Sequence, residues 1–205
     1  RDFMNVYISG LALGLTLITT LGPQNIFLIR QGALRRHAIL SASVCFICDV
    51  ILVTASVKGL HHLLEQHPAF RSAMAWAGGS FLFYYGFLNI NNAIKKNGMK
   101  RPETPQHLVS RGKVIMLAIG FSLLNPHAII DTLILIGGSS GQFPGHEQAF
   151  LLGVISSSLL WFTTLTLITQ LCGKWLSKTS VWQVVELASG LLMIVLSIRL
   201  AISQI

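Results

Sequence analysis

Charge is what this sequence has least of. Asp, Glu, Lys and Arg make up 11% of its 205 residues, against 52% hydrophobic, where soluble domains carry about a quarter charged residues. With a mean hydropathy of +0.65, that shortage excludes an ordinary soluble domain and places the chain in the membrane class. Sustained apolar–polar alternation is missing as well, which excludes a β-barrel. The formal charge of +8 forms no basic stripe with interleaved aromatics, so nucleic acid is excluded as a partner. A cleavable leader pattern is absent, and the first apolar stretch is too long for a signal-peptide core.

Cysteine is scarce: Cys45, Cys48 and Cys172 are the three. Cys45 and Cys48 form a C-x-x-C that would share one helix face, as a redox pair or half a metal site would. No second pair or neighbouring His completes such a site, so small apolar filler is the better reading, and neither a metal nor a cofactor is expected. The run Gly137-Gly138-Ser139-Ser140-Gly141 lacks the Gly-Lys-Ser/Thr ending of a phosphate loop and reads as a flexible turn.

What is present is long apolar stretches. A bilayer-spanning helix takes about 20 mostly apolar residues, and six windows qualify: 6–29, 38–59, 70–92, 113–137, 148–171 and 181–203. The expected class is an all-α integral membrane protein, one transporter domain over 1–205. The connection at 93–112, with Asn97-Gly98, Pro102 and Pro105, is the longest and most polar. It reads as a cytoplasmic joint between a three-helix repeat at 1–92 and another at 113–205. An odd number of spans per half would invert the second half relative to the first. Eleven of the fifteen Lys and Arg fall between spans one and two, three and four, and five and six. The positive-inside rule then sets those loops in the cytoplasm and both termini outside.

Two segments interrupt the apolar runs. Leu21-Gly22-Pro23-Gln24-Asn25 lies late in the first span and Leu124-Asn125-Pro126-His127 inside the fourth. Proline removes a backbone donor and collides with the carbonyl four residues back, so each helix must kink or unwind there. Breaks at matching places in two halves point to a transporter's binding site. In the third span of each half, Ala77-Gly78-Gly79 and Ala188-Ser189-Gly190 supply small residues that let helices approach closely.

Asp49 and Asp131 fall well inside spans two and four. An Asp at a helix centre costs about 2.5–3.5 kcal/mol on insertion scales, so each needs a compensating role: polar glue, or a functional site. Glu147 and Glu186 lie near span ends and are expected to reach solvent. Arg30, Lys58 and Lys113 sit at predicted ends, so no Lys or Arg is expected deep in the interior. Two carboxylates without a fixed cation suit a cationic ligand or protons. Gln24, Asn25 or the N–H groups of a broken helix would have to meet a substrate carboxylate. His127 is a candidate for substrate contact or proton carriage, or for satisfying a carbonyl freed at the break.

These residues resemble those of the lysine exporter family, and of its arginine-exporter branch. The likeness runs through Gly10-Leu11-Ala12-Leu13-Gly14, Leu21-Gly22-Pro23-Gln24-Asn25, Asp49, Leu124-Asn125-Pro126-His127, Asp131-Thr132, Gly141-Gln142 and Ser156 to Trp161-Phe162, essentially the whole chain. The resemblance implies secondary export of arginine or lysine across a bacterial inner membrane, coupled to protons. Related branches export neutral amino acids or heavy-metal cations. A thiol-redox carrier would need cysteines beside the breaks, and an intramembrane protease would need motifs around the two Asp that are missing. The oligomeric state is left open.

Overall fold

The computed structural model describes residues 2–19, 22–33, 37–60, 68–95, 110–124, 129, 132–173 and 178–202. Among them are eight α-helices: α1 (Asp2–Ile18), α2 (Pro23–Ala33), α3 (Ala38–Ala55), α4 (Pro68–Lys95), α5 (Arg111–Leu123), α6 (Gly137–Ser140), α7 (Glu147–Leu171) and α8 (Thr179–Ile202). A π-helical turn, Ser56–Leu60, continues α3, and another, Thr132–Ile136, precedes α6.

The first break falls where proline requires it. The α-helical hydrogen-bond pattern ends at Ile18, and Pro23 opens α2, at the helix position where its missing N–H costs nothing. Across the gap the two axes differ by 79°. Pro68 opens α4 in the same manner, and Ser110 caps α5 by accepting the Lys113 N–H at 3.2 Å. Ala38–Gly59 and Glu147–Leu171 are each long and apolar enough to cross a bilayer, and the bent pair α1–α2 forms a third candidate span, among the described residues.

The connection expected at 93–112 is shorter than its polarity implied. Helix α4 runs to Lys95 and α5 begins at Arg111. Residues 96–109, with Pro102 and Pro105, lie outside the described residues. The Gly137–Gly141 run is not simply a turn. Gly137–Ser140 is helical, and the Ser140 hydroxyl donates back to the Gly137 carbonyl at 2.7 Å.

Apolar cores centred on Phe27, Leu82, Phe121 and Phe162 and on Val53, Phe150 and Val154 are surrounded by an exterior that is itself apolar. Large apolar side chains face outward, among them Ile47 and Ile51 on α3, Phe83 and Phe87 on α4, Leu159 and Leu167 on α7 and Val195 on α8. Buried positions include Asn25, Gln31, Asn89, Glu186 and a series of serines. Such an exterior is matched to hydrocarbon and leaves the polar groups to satisfy one another inside.

Two helix pairs carry the architecture, α1 with α7 and α4 with α8. In the first, a Cβ on Gly10 would meet the Phe150 carbonyl and one on Gly153 the Tyr7 carbonyl, while Gly14 faces Val154 and Ser157. Gly10-x-x-x-Gly14 thus lies on Gly153-x-x-x-Ser157, the small-residue contact that lets membrane helices pack backbone to backbone. Residue numbers rise together along this contact, so α1 and α7 are parallel. In the second pair they run in opposition: Gly79 accepts from the Ser197 hydroxyl at 2.8 Å, and Gly86 lies against Gly190. The Ala77–Gly79 and Ala188–Gly190 triplets therefore both serve close packing but do not face each other, because antiparallel register sets them about two turns apart.

Candidate functional site

Helix α2 is short, yet it touches α3, α5, α7 and α8. Seven of its eleven residues are buried, and Phe27 packs tilted against Phe121 of α5 with centroids 5.3 Å apart. Every sequence-predicted site residue of the first half is anchored on this helix or beside it.

Asn25 holds the break together. A helix continuing past Ile18 would offer that carbonyl a backbone donor one turn on; instead the Asn25 side-chain amide donates to it at 2.8 Å. The Asn25 carbonyl oxygen in turn accepts the Trp161 indole N–H from α7 at 3.1 Å. With 4% exposure, Asn25 acts as a strut between α1, α2 and α7. Gln24 turns the other way and donates to the Ser122 hydroxyl of α5 at 3.0 Å. Ser122 lies in the last turn of α5, just ahead of Leu124, so this bond ties one interrupted span to the other.

Asp49 projects from the middle of α3 and is half-buried. The Ser158 hydroxyl of α7 donates to its Oδ2. Cys45, fully buried, lies one turn earlier on the same face. Three side-chain pairs, Gln24–Ser122, Asn25–Trp161 and Asp49–Ser158, thus lie on α2, α3, α5 and α7. Asn125, Pro126, His127 and Asp131 lie outside the described residues. The π turn that follows them accepts the fully buried Ser56 hydroxyl at the Leu133 carbonyl, 2.9 Å away.

Glu186 departs from the sequence expectation, and Arg30 is its partner. Glu186 is 3% exposed rather than solvated, and Arg30 Nη2 lies 3.7 Å from its Oε1. Arg30 also donates to Asn89 Oδ1 at 3.5 Å, and the Asn89 amide donates to the Ser189 hydroxyl at 3.3 Å. The bend brings the two together: a 79° turn carries α2 across onto α8. No Lys or Arg among the described residues pairs with Asp49.

Three further participants were less legible in the sequence. Ser158 was visible only as one of a run of three, and its neighbour Ser157 packs instead on Gly14. Ser122 carries no local signal beyond polarity in an apolar stretch. Trp161 could equally have been an interfacial anchor. Cys45 and Cys48 are buried free thiols, and no three His, Cys, Asp or Glu side chains converge as a metal set among the described residues.

An apolar exterior, a broken candidate span and polar pairs gathered at the break define a polytopic membrane protein. Residues 15–204 match the LysE type translocator family. The chain belongs to that family. It is similar to the arginine exporter protein ArgO of Escherichia coli strain K12, with 34% identity over 196 residues, 95% of this chain and 92% of that one. Similarity to ArgO of Pectobacterium carotovorum is 32% over 198 residues, 96% of each chain. For ArgO of Salmonella schwarzengrund it is 32% over 199 residues, 97% of this chain and 94% of that one. No solved structure matches the chain.

Proposed function

We propose that this protein exports basic amino acids, arginine foremost and lysine with it, across the bacterial inner membrane in exchange for protons. The observation that carries the reading is Asp49: a carboxylate held by Ser158 beside a helix break, with no Lys or Arg of the described residues against it. A carboxylate within a spanning helix and with no fixed counter-ion is compensated most simply by a cationic substrate or a proton, and alternation between the two is antiport. The arginine-exporter relatives at 32–34% identity support the same substrate class.

In this reading the chain crosses the membrane six times as two inverted three-helix halves, with both termini outside. Helix pairing supports it. Exchange of the halves would convert the α1–α7 pair into α5–α3, and α2–α7 into the 132–136 turn against α3; all four pairs are in contact. Asp131, with Asn125, Pro126 and His127 at the second break, supplies the second carboxylate, so that one acid faces substrate while the other takes the proton. Gln24 and Asn25 with Pro23 organise the first break, and the halves rock about the site between them.

The test is a substrate panel in proteoliposomes under an imposed pH gradient. Arginine and lysine should be expelled against their gradient as protons move the other way. Transport restricted to neutral amino acids or to divalent cations would overturn the assignment.

A further inference from the structure

Glu186 and Asn89 form a pair of acceptors that the exchange at Asp49 does not use. Glu186 is 3% exposed on α8, and Asn89, also buried, lies on the adjoining α4. Their neighbours fix which atoms are offered. The Ser189 hydroxyl donates to the Glu186 backbone carbonyl at 3.0 Å. Its oxygen is then left to accept, and it takes the Asn89 amide at 3.3 Å. With the Asn89 nitrogen so engaged, its carbonyl oxygen is presented to α2, where Arg30 Nη1 reaches it at 3.5 Å. Arg30 Nη2 lies 3.7 Å from Glu186 Oε1. A carboxylate and a carbonyl oxygen, on two helices locked together at Gly86 and Gly190, make a receptor for a guanidinium. The chain's own Arg30 occupies it.

That occupant fits loosely. Charge-assisted N–H···O bonds run about 2.7–2.9 Å, and arginine meets a carboxylate best through two parallel bonds. Arg30 instead spreads two nitrogens over two acceptors at 3.5 and 3.7 Å. Its side chain keeps 39% exposure, so the head can leave for water. A free guanidinium has no tether to α2 and can close on Glu186 with both forks. The place also favours a cation of any origin, because Arg30 stands in the last turn of α2, at the negative end of the helix.

We propose that Glu186 and Asn89 are an entry subsite for the guanidinium of arginine, with Arg30 as a tethered competitor that yields to it. The assignment rests on the exporter reading and deepens it. The ends of α2 and α4 and the start of α8 lead here into the loops rich in Lys and Arg, the cytoplasmic side in that reading. Between turnovers Arg30 keeps the buried carboxylate compensated, which an empty site could not do.

The experiment compares arginine with citrulline, its uncharged near-isostere, as competitors for labelled arginine export by the full chain in proteoliposomes. Arg30→Gln removes the competitor, so the half-saturating arginine concentration should fall about 3- to 10-fold. Glu186→Gln removes the charge and should raise it about 5- to 10-fold, with citrulline inhibition changed less than about 2-fold. The double variant should match Glu186→Gln. Arg30→Lys keeps the charge but loses the fork and should fall between Arg30→Gln and wild type; with Glu186→Gln it decides the matter if Arg30→Gln fails to fold. A merely structural pair moves both partners' variants in the same direction. A higher half-saturating concentration in the Arg30 and Glu186 variants alike, or equal shifts for arginine and citrulline in Glu186→Gln, would overturn the subsite while leaving export intact. A wild-type protein that neither binds nor moves arginine would overturn the exporter reading and the subsite with it.

Discussion

Removing the Arg30 guanidinium should destabilise this protein more than neutralising the carboxylate it faces. At 3.7 Å, and at an effective dielectric of about 20, the Arg30–Glu186 attraction is about 4.5 kcal/mol before desolvation is charged against it. The two partners are placed differently. Glu186 keeps 3% of its side-chain exposure and Arg30 keeps 39%, so Arg30 can turn its head to water when Glu186 is neutral, whereas Glu186 has no such outlet. Arg30→Gln should therefore cost about 2–3 kcal/mol, between an exposed pair and a buried one. Glu186→Gln should cost about 1–2 kcal/mol, and the double variant no more than about 2. The coupling in the double-mutant cycle should be about 2 kcal/mol. Unfolding of the four proteins in detergent, followed by circular dichroism, measures it. Equal single-variant losses that add, with coupling under about 0.5 kcal/mol, would refute the pairing and the direction given to α2 by the bend.

Other outcomes follow from the packing and the break. Gly153→Ala should cost about 1–3 kcal/mol by overpacking, since its Cβ would run into the Tyr7 carbonyl and lie 2.8 Å from the Leu11 nitrogen; Gly138→Ala meets nothing within 4 Å and should leave the detergent unfolding midpoint unchanged or raise it. Asn25→Ala removes two buried hydrogen bonds and should cost about 2–3 kcal/mol, and tryptophan emission should shift as the Trp161 indole loses its acceptor. Ser158→Ala should lower arginine export while leaving the far-ultraviolet helix signal at its wild-type value, because it removes the one side-chain donor described at Asp49 without touching the α1–α7 glycine contact.

How much of this was legible in the sequence depended on how local the cause was. Proline acts on its own helix, so the break at Pro23 and the start of α2 there could be read directly. The membrane class follows from composition alone. The Arg30–Glu186 pair could not be read, because the residues are far apart in sequence and meet through the angle of the first break. Nor could Ser158 be separated from Ser157. Adjacent residues on a helix differ by about 100°, and the rotation of α7 is set by Gly10 and Gly14 of another helix pressing on it. The Ala77–Gly79 and Ala188–Gly190 triplets were rightly read as contacts but not as to partner, since small residues declare closeness without declaring register. Asp131 and the Asn125–His127 segment, read in the same way as their first-half counterparts, lie outside the described residues.

The exchange of a cationic amino acid for protons at Asp49 is tested most directly by arginine efflux from proteoliposomes containing the wild type, Asp49→Asn or Asp131→Asn, measured across a range of imposed pH gradients. Each asparagine variant should stay folded and lose either arginine export or its dependence on the proton gradient. Stable variants that export arginine at the wild-type rate with an unchanged pH dependence would contradict it.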